Sequence, residues 1–108
     1  MVTCFIGFGS NLGDRNYYIT AAIQRIKMIP ATRMVKISSF IETSPQGGPV
    51  QGNYLNAVGA LETELSPYAL LEALQEIEYS LGRRRSVKDA PRTIDLDILL
   101  YGALCLKE

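Results

Sequence analysis

Thr93-Ile94-Asp95-Leu96-Asp97-Ile98-Leu99-Leu100-Tyr101 sets apolar residues at 94, 96 and 98 against carboxylates at 95 and 97. Strand side chains alternate between faces, so Ile94, Leu96 and Ile98 share one side and Asp95 and Asp97 the other. A strand written this way belongs to a sheet with one covered and one open face. Just upstream lies the helix that does the covering. Ser66 suits an N-cap, Pro67 the first helical position and Gly82 the position past the end, with Leu70, Leu74, Ile77 and Leu81 as the buried stripe. Further out, Ile19, Ala22, Ile23 and Ile26 recur at helical spacing, predicting a helix from Arg15 to Ile29 that Pro30 stops and that Asn11 or Asp14 caps. Val2–Phe8, Arg33–Thr43 and Tyr54–Thr63 read as strands. The order is β-α-β-β-α-β. It predicts an α+β, ferredoxin-like domain, with a four-stranded antiparallel sheet, two helices on one face and the ligand site on the other.

The 108 residues suffice for one domain with its own core, read as 1–108 without linker, repeat or low-complexity segment. Eleven basic and eleven acidic residues cancel, which argues against general nucleic-acid or polybasic membrane binding. No histidine is present, so His-based triads and HExxH zinc sites are excluded and any catalysis runs on carboxylates, cations, amides and hydroxyls. Cys4 and Cys105 form no CxxC and read as small apolar strand residues. Neither a signal peptide nor an apolar run of membrane-spanning length is recognisable, so the expectation is a cytoplasmic protein.

Asp95 and Asp97 stand roughly 6.5–7 Å apart along their strand, a spacing that can bracket one or two Mg²⁺ ions. The plain alternative, two acids on a wet strand face, is weakened because Asp is a poor strand former and like charges on one face repel. Arg83, Arg84, Arg85, Lys88 and Arg92 crowd the segment before them, five of the eleven cations. Guanidinium forks beside a metal-binding acidic pair suit a polyphosphate, and helix-dipole compensation does not call for five. Gln75 and Glu78, three apart on the second helix, read from spacing alone as solvent-facing positions. Tyr54 and Asn56 share a strand face and suit a planar heterocycle, the ring by stacking and the amide by edge recognition; a partly buried Tyr beside a satisfied Asn is the plain alternative. The ten residues Ser44–Asn53 before them exceed a usual hairpin connection and suggest a lid. Gly7-Phe8-Gly9-Ser10-Asn11-Leu12-Gly13 has the wrong spacing for a dinucleotide fingerprint and reads as a strand-to-helix turn.

Together GSNLGDR (9–15), SSFIETSP (38–45), QGNYLN (51–56), LGRRR (81–85) and PRTIDLDILLYG (91–102) resemble the 6-hydroxymethyl-7,8-dihydropterin pyrophosphokinases across essentially the whole chain. The resemblance implies ATP-dependent pyrophosphoryl transfer to the pterin's hydroxymethyl group, releasing AMP, in folate biosynthesis. It implies that Asp95 and Asp97 hold two Mg²⁺ ions, and that Arg83 and Arg92 touch the phosphates and assist transfer while Arg85 and Lys88 position them. Gln75, Glu78 and Ile98 would line the nucleotide site. Tyr54 would stack on the pterin and Asn56 bond its edge, with Asp95 and the backbone near Thr43 and Gln46 completing the pocket. The partners implied are ATP and the pterin, with no nucleic acid or membrane; the chain is expected as a monomer, associated with a downstream folate enzyme. Relatives continue into a segment with a His, further Arg residues and a second aromatic, so the resemblance is to a C-terminally short member. A non-catalytic pterin- or nucleotide-binding domain of the same family is the alternative. RNA binding on the same architecture is disfavoured, because Tyr54–Glu62 lacks the aromatic RNP pattern.

Overall fold

A computed structural model describes residues 1–44, 52–83 and 93–105. Along the chain run β1 (Val2–Ser10), α1 (Arg15–Ile26), β2 (Thr32–Ile37), β3 (Ile41–Thr43), β4 (Tyr54–Thr63), α2 (Pro67–Ser80), β5 (Asp95–Tyr101) and β6 (Leu104–Cys105). The strands form one antiparallel sheet in the order β2-β4-β1-β5-β6, with β3 also on β4. The expected four-strand frame is therefore present as β2, β4, β1 and β5, and the described residues add two short strands to make six. The run 33–43 breaks into two strands because Val35 bulges out of the β2–β4 register and Ser38 leaves the ladder. Ser38 instead donates its N–H to Val58 O at 2.8 Å and accepts the Val58 N–H on its hydroxyl at 2.9 Å, which ends one strand before the next begins. β6 is a two-residue return onto Leu100 and Tyr101.

The covered face is mainly apolar, with Ser10 and Thr63 as buried polar residues at its margins. Ile6 and Phe8 of β1, Leu61 of β4, and Leu96 and Ile98 of β5 meet Ile19, Ala22 and Ile26 of α1 and Leu70 and Leu74 of α2. Ile6, Ile19, Leu61, Leu70, Leu74 and Ile94 are completely buried. Each such side chain contributes about 1.5–3 kcal/mol relative to exposure.

Both helix starts and one helix end follow the chemistry read from sequence. Asp14, not Asn11, caps α1, its carboxylate accepting the Tyr17 N–H at 3.1 Å. Ser66 caps α2 by accepting the Ala69 N–H at 3.2 Å. α1 stops at Ile26, three residues before the expected end. There Met28 and Ile29 donate to Arg25 O and Ile26 O, three residues back, and tighten the chain into a turn ahead of Pro30. α2 ends in a Schellman motif, with Gly82 N–H on Tyr79 O at 3.0 Å and Arg83 N–H on Glu78 O at 3.1 Å. Gly82 has φ of +93°, a conformation that side chains with a Cβ resist. This turn brings the Arg83 backbone beside Glu78, one helical turn back.

Candidate functional site

Sheet register assembles the open face in rows. Asn56 of β4, Gly9 of β1 and Asp95 of β5 are direct neighbours, and Val58, Gly7 and Asp97 form the next row. Asp95 and Asp97 thus share a face opposite Leu96 and Ile98. The absent side chains at Gly7 and Gly9 lower the surface along β1 into a narrow trough between a neutral flank and an acidic one, with Leu99 leaning over Gly7 and Tyr54 and Asn56 leaning over a buried Gly9. Its shape depends on glycine: a Cβ at Gly9 would lie 3.4 Å from Asn56 Oδ1 and 3.5 Å from Tyr54 Cδ1. From sequence Gly7 and Gly9 read as residues leading into a turn, whereas both lie on the strand face that carries Asn56 and Asp95. The available signal was their period of two, which places both on one strand face.

On the neutral flank, Asn56 donates from Nδ2 to Thr43 Oγ1 at 2.7 Å. That bond turns the amide oxygen toward Gly9 and leaves an acceptor over the trough. Tyr54 and Asn56 are both half-buried. Arg15, on the first turn of α1, donates from Nη1 to Glu42 Oε2 at 2.6 Å and to Asn53 O at 2.9 Å. It ties together the strand ends that carry Thr43 and Tyr54, a role the sequence reading did not assign. Gln46 lies outside the described residues.

The acidic flank is wired to α2. Arg83 Nη1 donates to Glu78 Oε2 at 2.6 Å and to Asp95 Oδ1 at 2.9 Å. The Glu78 and Arg83 side chains are 5% and 9% exposed and that of Asp95 22%. Glu78 Oε2 also accepts the Leu96 N–H at 2.7 Å, so one carboxylate oxygen caps the outer edge of β5 and anchors the guanidinium. Burial raises the Glu78 pKa; the Leu96 N–H and the Arg83 charge act the other way, and the nearby Asp95 adds to the rise. The solvent-facing reading of Glu78 is corrected here, because helical spacing gave no sign of the strand edge and cation that satisfy its charge. Gln75 is exposed, so the two residues do not present one common wet face.

Asp97 is exposed. Ile98 is 6% exposed and its side chain packs in the core, away from the open face. Its backbone is better placed. The Leu96 N–H leaves β1 for Glu78, so by strand alternation Ile98 also directs its peptide groups to the outer edge. β6 meets β5 only at Leu100 and Tyr101, so no strand covers that edge at Ile98 among the described residues. Arg85, Lys88 and Arg92 lie outside the described residues. Ser10 Oγ and Thr93 Oγ1, at the ends of β1 and just before β5, are buried without a hydrogen-bond partner among the described residues.

Two carboxylates two residues apart, one exposed and one reachable, form a hard-oxygen donor set that fits Mg²⁺. No cluster of three or more His, Cys, Asp or Glu that could hold a metal occurs among the described residues.

Fold and site define an α+β protein whose sheet carries a neutral, amide-bearing flank and a charged flank on the surface away from the helices. Residues 5–107 match the family model described as 7,8-dihydro-6-hydroxymethylpterin-pyrophosphokinase, and the chain belongs to that family. It is 46% identical over 102 residues to the 2-amino-4-hydroxy-6-hydroxymethyldihydropteridine pyrophosphokinase of Haemophilus influenzae, covering 94% of this chain and 64% of the relative. The Bacillus subtilis protein of the same name is 44% identical over 97 residues, covering 90% and 58%. A Lactococcus lactis protein named as the bifunctional protein FolKE is 42% identical over 102 residues, covering 94% of this chain and 29% of the relative. The chain therefore spans less than two thirds of the length of these relatives. No helix among the described residues is long and apolar enough to cross a membrane.

Proposed function

We propose that this chain carries the core of an ATP-dependent pyrophosphokinase acting on 6-hydroxymethyl-7,8-dihydropterin. The observation that carries the reading is the row Asn56–Gly9–Asp95, which sets an amide and a carboxylate on either side of a glycine that Tyr54 and Asn56 approach closely. The pterin lies in the trough, its ring against Tyr54 and its amino edge at Asn56 Oδ1. Asp95 and Asp97 hold Mg²⁺, two ions in the fullest form of the proposal. When bound, the metal neutralises the polyphosphate and makes the pterin hydroxyl easier to deprotonate.

Asp95 orients the hydroxymethyl end of the pterin toward the nucleotide. Arg83 takes up phosphate charge as it develops, and Arg85, Lys88 and Arg92 share that task on the adjoining segment. The Ile98 peptide edge and Gln75 border the nucleotide, and the backbone near Thr43 and Gln46 closes the pterin side. The hydroxymethyl oxygen bonds to the β-phosphorus and the bond from that phosphorus to the α,β-bridging oxygen breaks. AMP leaves and the hydroxyl proton goes to solvent. Positioning and electrostatics supply the acceleration, in keeping with a chain that lacks histidine. We place the reaction in the cytoplasm. The bifunctional relative supports a place beside another folate enzyme.

The test is AMP release from ATP and Mg²⁺ with and without the pterin. The reading expects AMP only when the pterin is present, and none from Asp95→Asn. AMP that ignores the pterin, or its absence from the folded wild-type chain, contradicts it.

A further inference from the structure

We propose that Arg83 serves as a built-in counter-cation, held by Glu78 on Asp95, which a divalent ion must displace to reach the acidic pair. The inference rests on the assignment of Asp95 and Asp97 to metal. It starts from the Schellman turn at Gly82, which places Arg83 against Glu78 where such turns more often make an apolar contact. The Arg83 side chain then bridges two carboxylates through one nitrogen, at 2.6 and 2.9 Å.

Glu78 is the positioning residue of the arrangement. Its Oε2 is fixed from the other side by the Leu96 N–H, between Asp95 and Asp97 in sequence. The guanidinium is consequently registered to the strand that carries both acids, and its side chain is only 9% exposed. Two carboxylates on one sheet face repel each other, and a fixed cation on one of them relieves that repulsion. The same cation occupies a lone pair that a metal would use.

A polyphosphate changes the balance, because it delivers metal and anionic oxygens that can take over the guanidinium. Metal and nucleotide then bind as a coupled pair, each strengthening the other. A free divalent ion offers Arg83 no such exchange and binds weakly.

The experiment is Mn²⁺ binding, without nucleotide, followed by the loss of the free-ion electron paramagnetic resonance signal. Wild type, Arg83→Gln, Arg83→Lys and Asp97→Asn are compared, with circular dichroism to confirm folding. Arg83→Gln is expected to tighten Mn²⁺ about tenfold, and Asp97→Asn to weaken it, which places the ion at the acidic pair. Arg83→Lys keeps the charge, but its ammonium ends one bond short of the Nη1 that touches both Glu78 and Asp95, so it is expected to tighten Mn²⁺ at least threefold. Affinity in Arg83→Lys equal to wild type would show that only net charge matters and would overturn the contact. Unchanged affinity in Arg83→Gln overturns it as well. Tightening in both Arg83 variants without AMP formation by wild type upholds the counter-cation and sinks the kinase reading instead.

Discussion

The two flanks of the trough solve the same problem, holding polar groups still on an exposed sheet, by opposite means. On the β4 side the groups are neutral. Thr43 Oγ1 and the Ile41 carbonyl orient Asn56 by accepting from its Nδ2, and Arg15 reinforces the flank from outside. On the β5 side the groups are charged, and a buried Glu78 and a nearly buried Arg83 hold them in a chain of ion pairs. Neutral contacts of this kind contribute about 1 kcal/mol each. Losing one partner of a buried ion pair costs about 3–5 kcal/mol, because the other charge is left unpaired. On the proposed reading, the neutral flank meets the planar ligand and the ion-paired flank meets the phosphates.

That contrast is open to attack in four places. The largest effect is expected for Asp97→Ala, which should lower AMP formation about 10³-fold, the scale of losing one preorganised electrostatic contact in a transition state. Gly9→Val should leave Mn²⁺ binding unchanged and weaken pterin binding about thirtyfold, from an overpacking cost of about 2 kcal/mol in the trough. Fluorescence titration with the pterin checks it, and equal affinity would mean the ligand does not sit over β1. Gly82→Ala should cost about 1–2 kcal/mol in urea unfolding, since φ of +93° strains alanine. A neutral result would show that the Arg83 turn can relax. Smallest is Thr43→Val, expected to weaken pterin binding about fivefold by freeing the Asn56 amide, with stability within about 1 kcal/mol. No change in affinity would leave Asn56 without a role at the pterin edge.

What the sequence revealed divides along the same line. Alternation in residues 94–98 placed Asp95 and Asp97 together because strand geometry is local. Ser66, Pro67 and Gly82 located both ends of α2 for the same reason. Long-range pairing was not legible. The split of 33–43 into β2 and β3 depends on Ser38 meeting Val58, and the cap on α1 was settled in favour of Asp14 only by the finished turn. Glu78 looked like a surface residue because Leu96, whose N–H it accepts, lies on β5, and Arg83 reaches it only once the turn at Gly82 has formed. Gly7 and Gly9 read as leading into a turn because their meaning comes from the strands beside them. Local chemistry was readable from a few residues at a time; the division of the face came from register.

The most direct measurement is therefore pterin affinity and AMP formation side by side in Asp97→Ala. A face divided as described predicts pterin binding within about threefold of wild type while AMP formation falls by about 10³. Pterin affinity that collapses together with activity would show that the acidic flank holds the pterin too, and the division would be wrong.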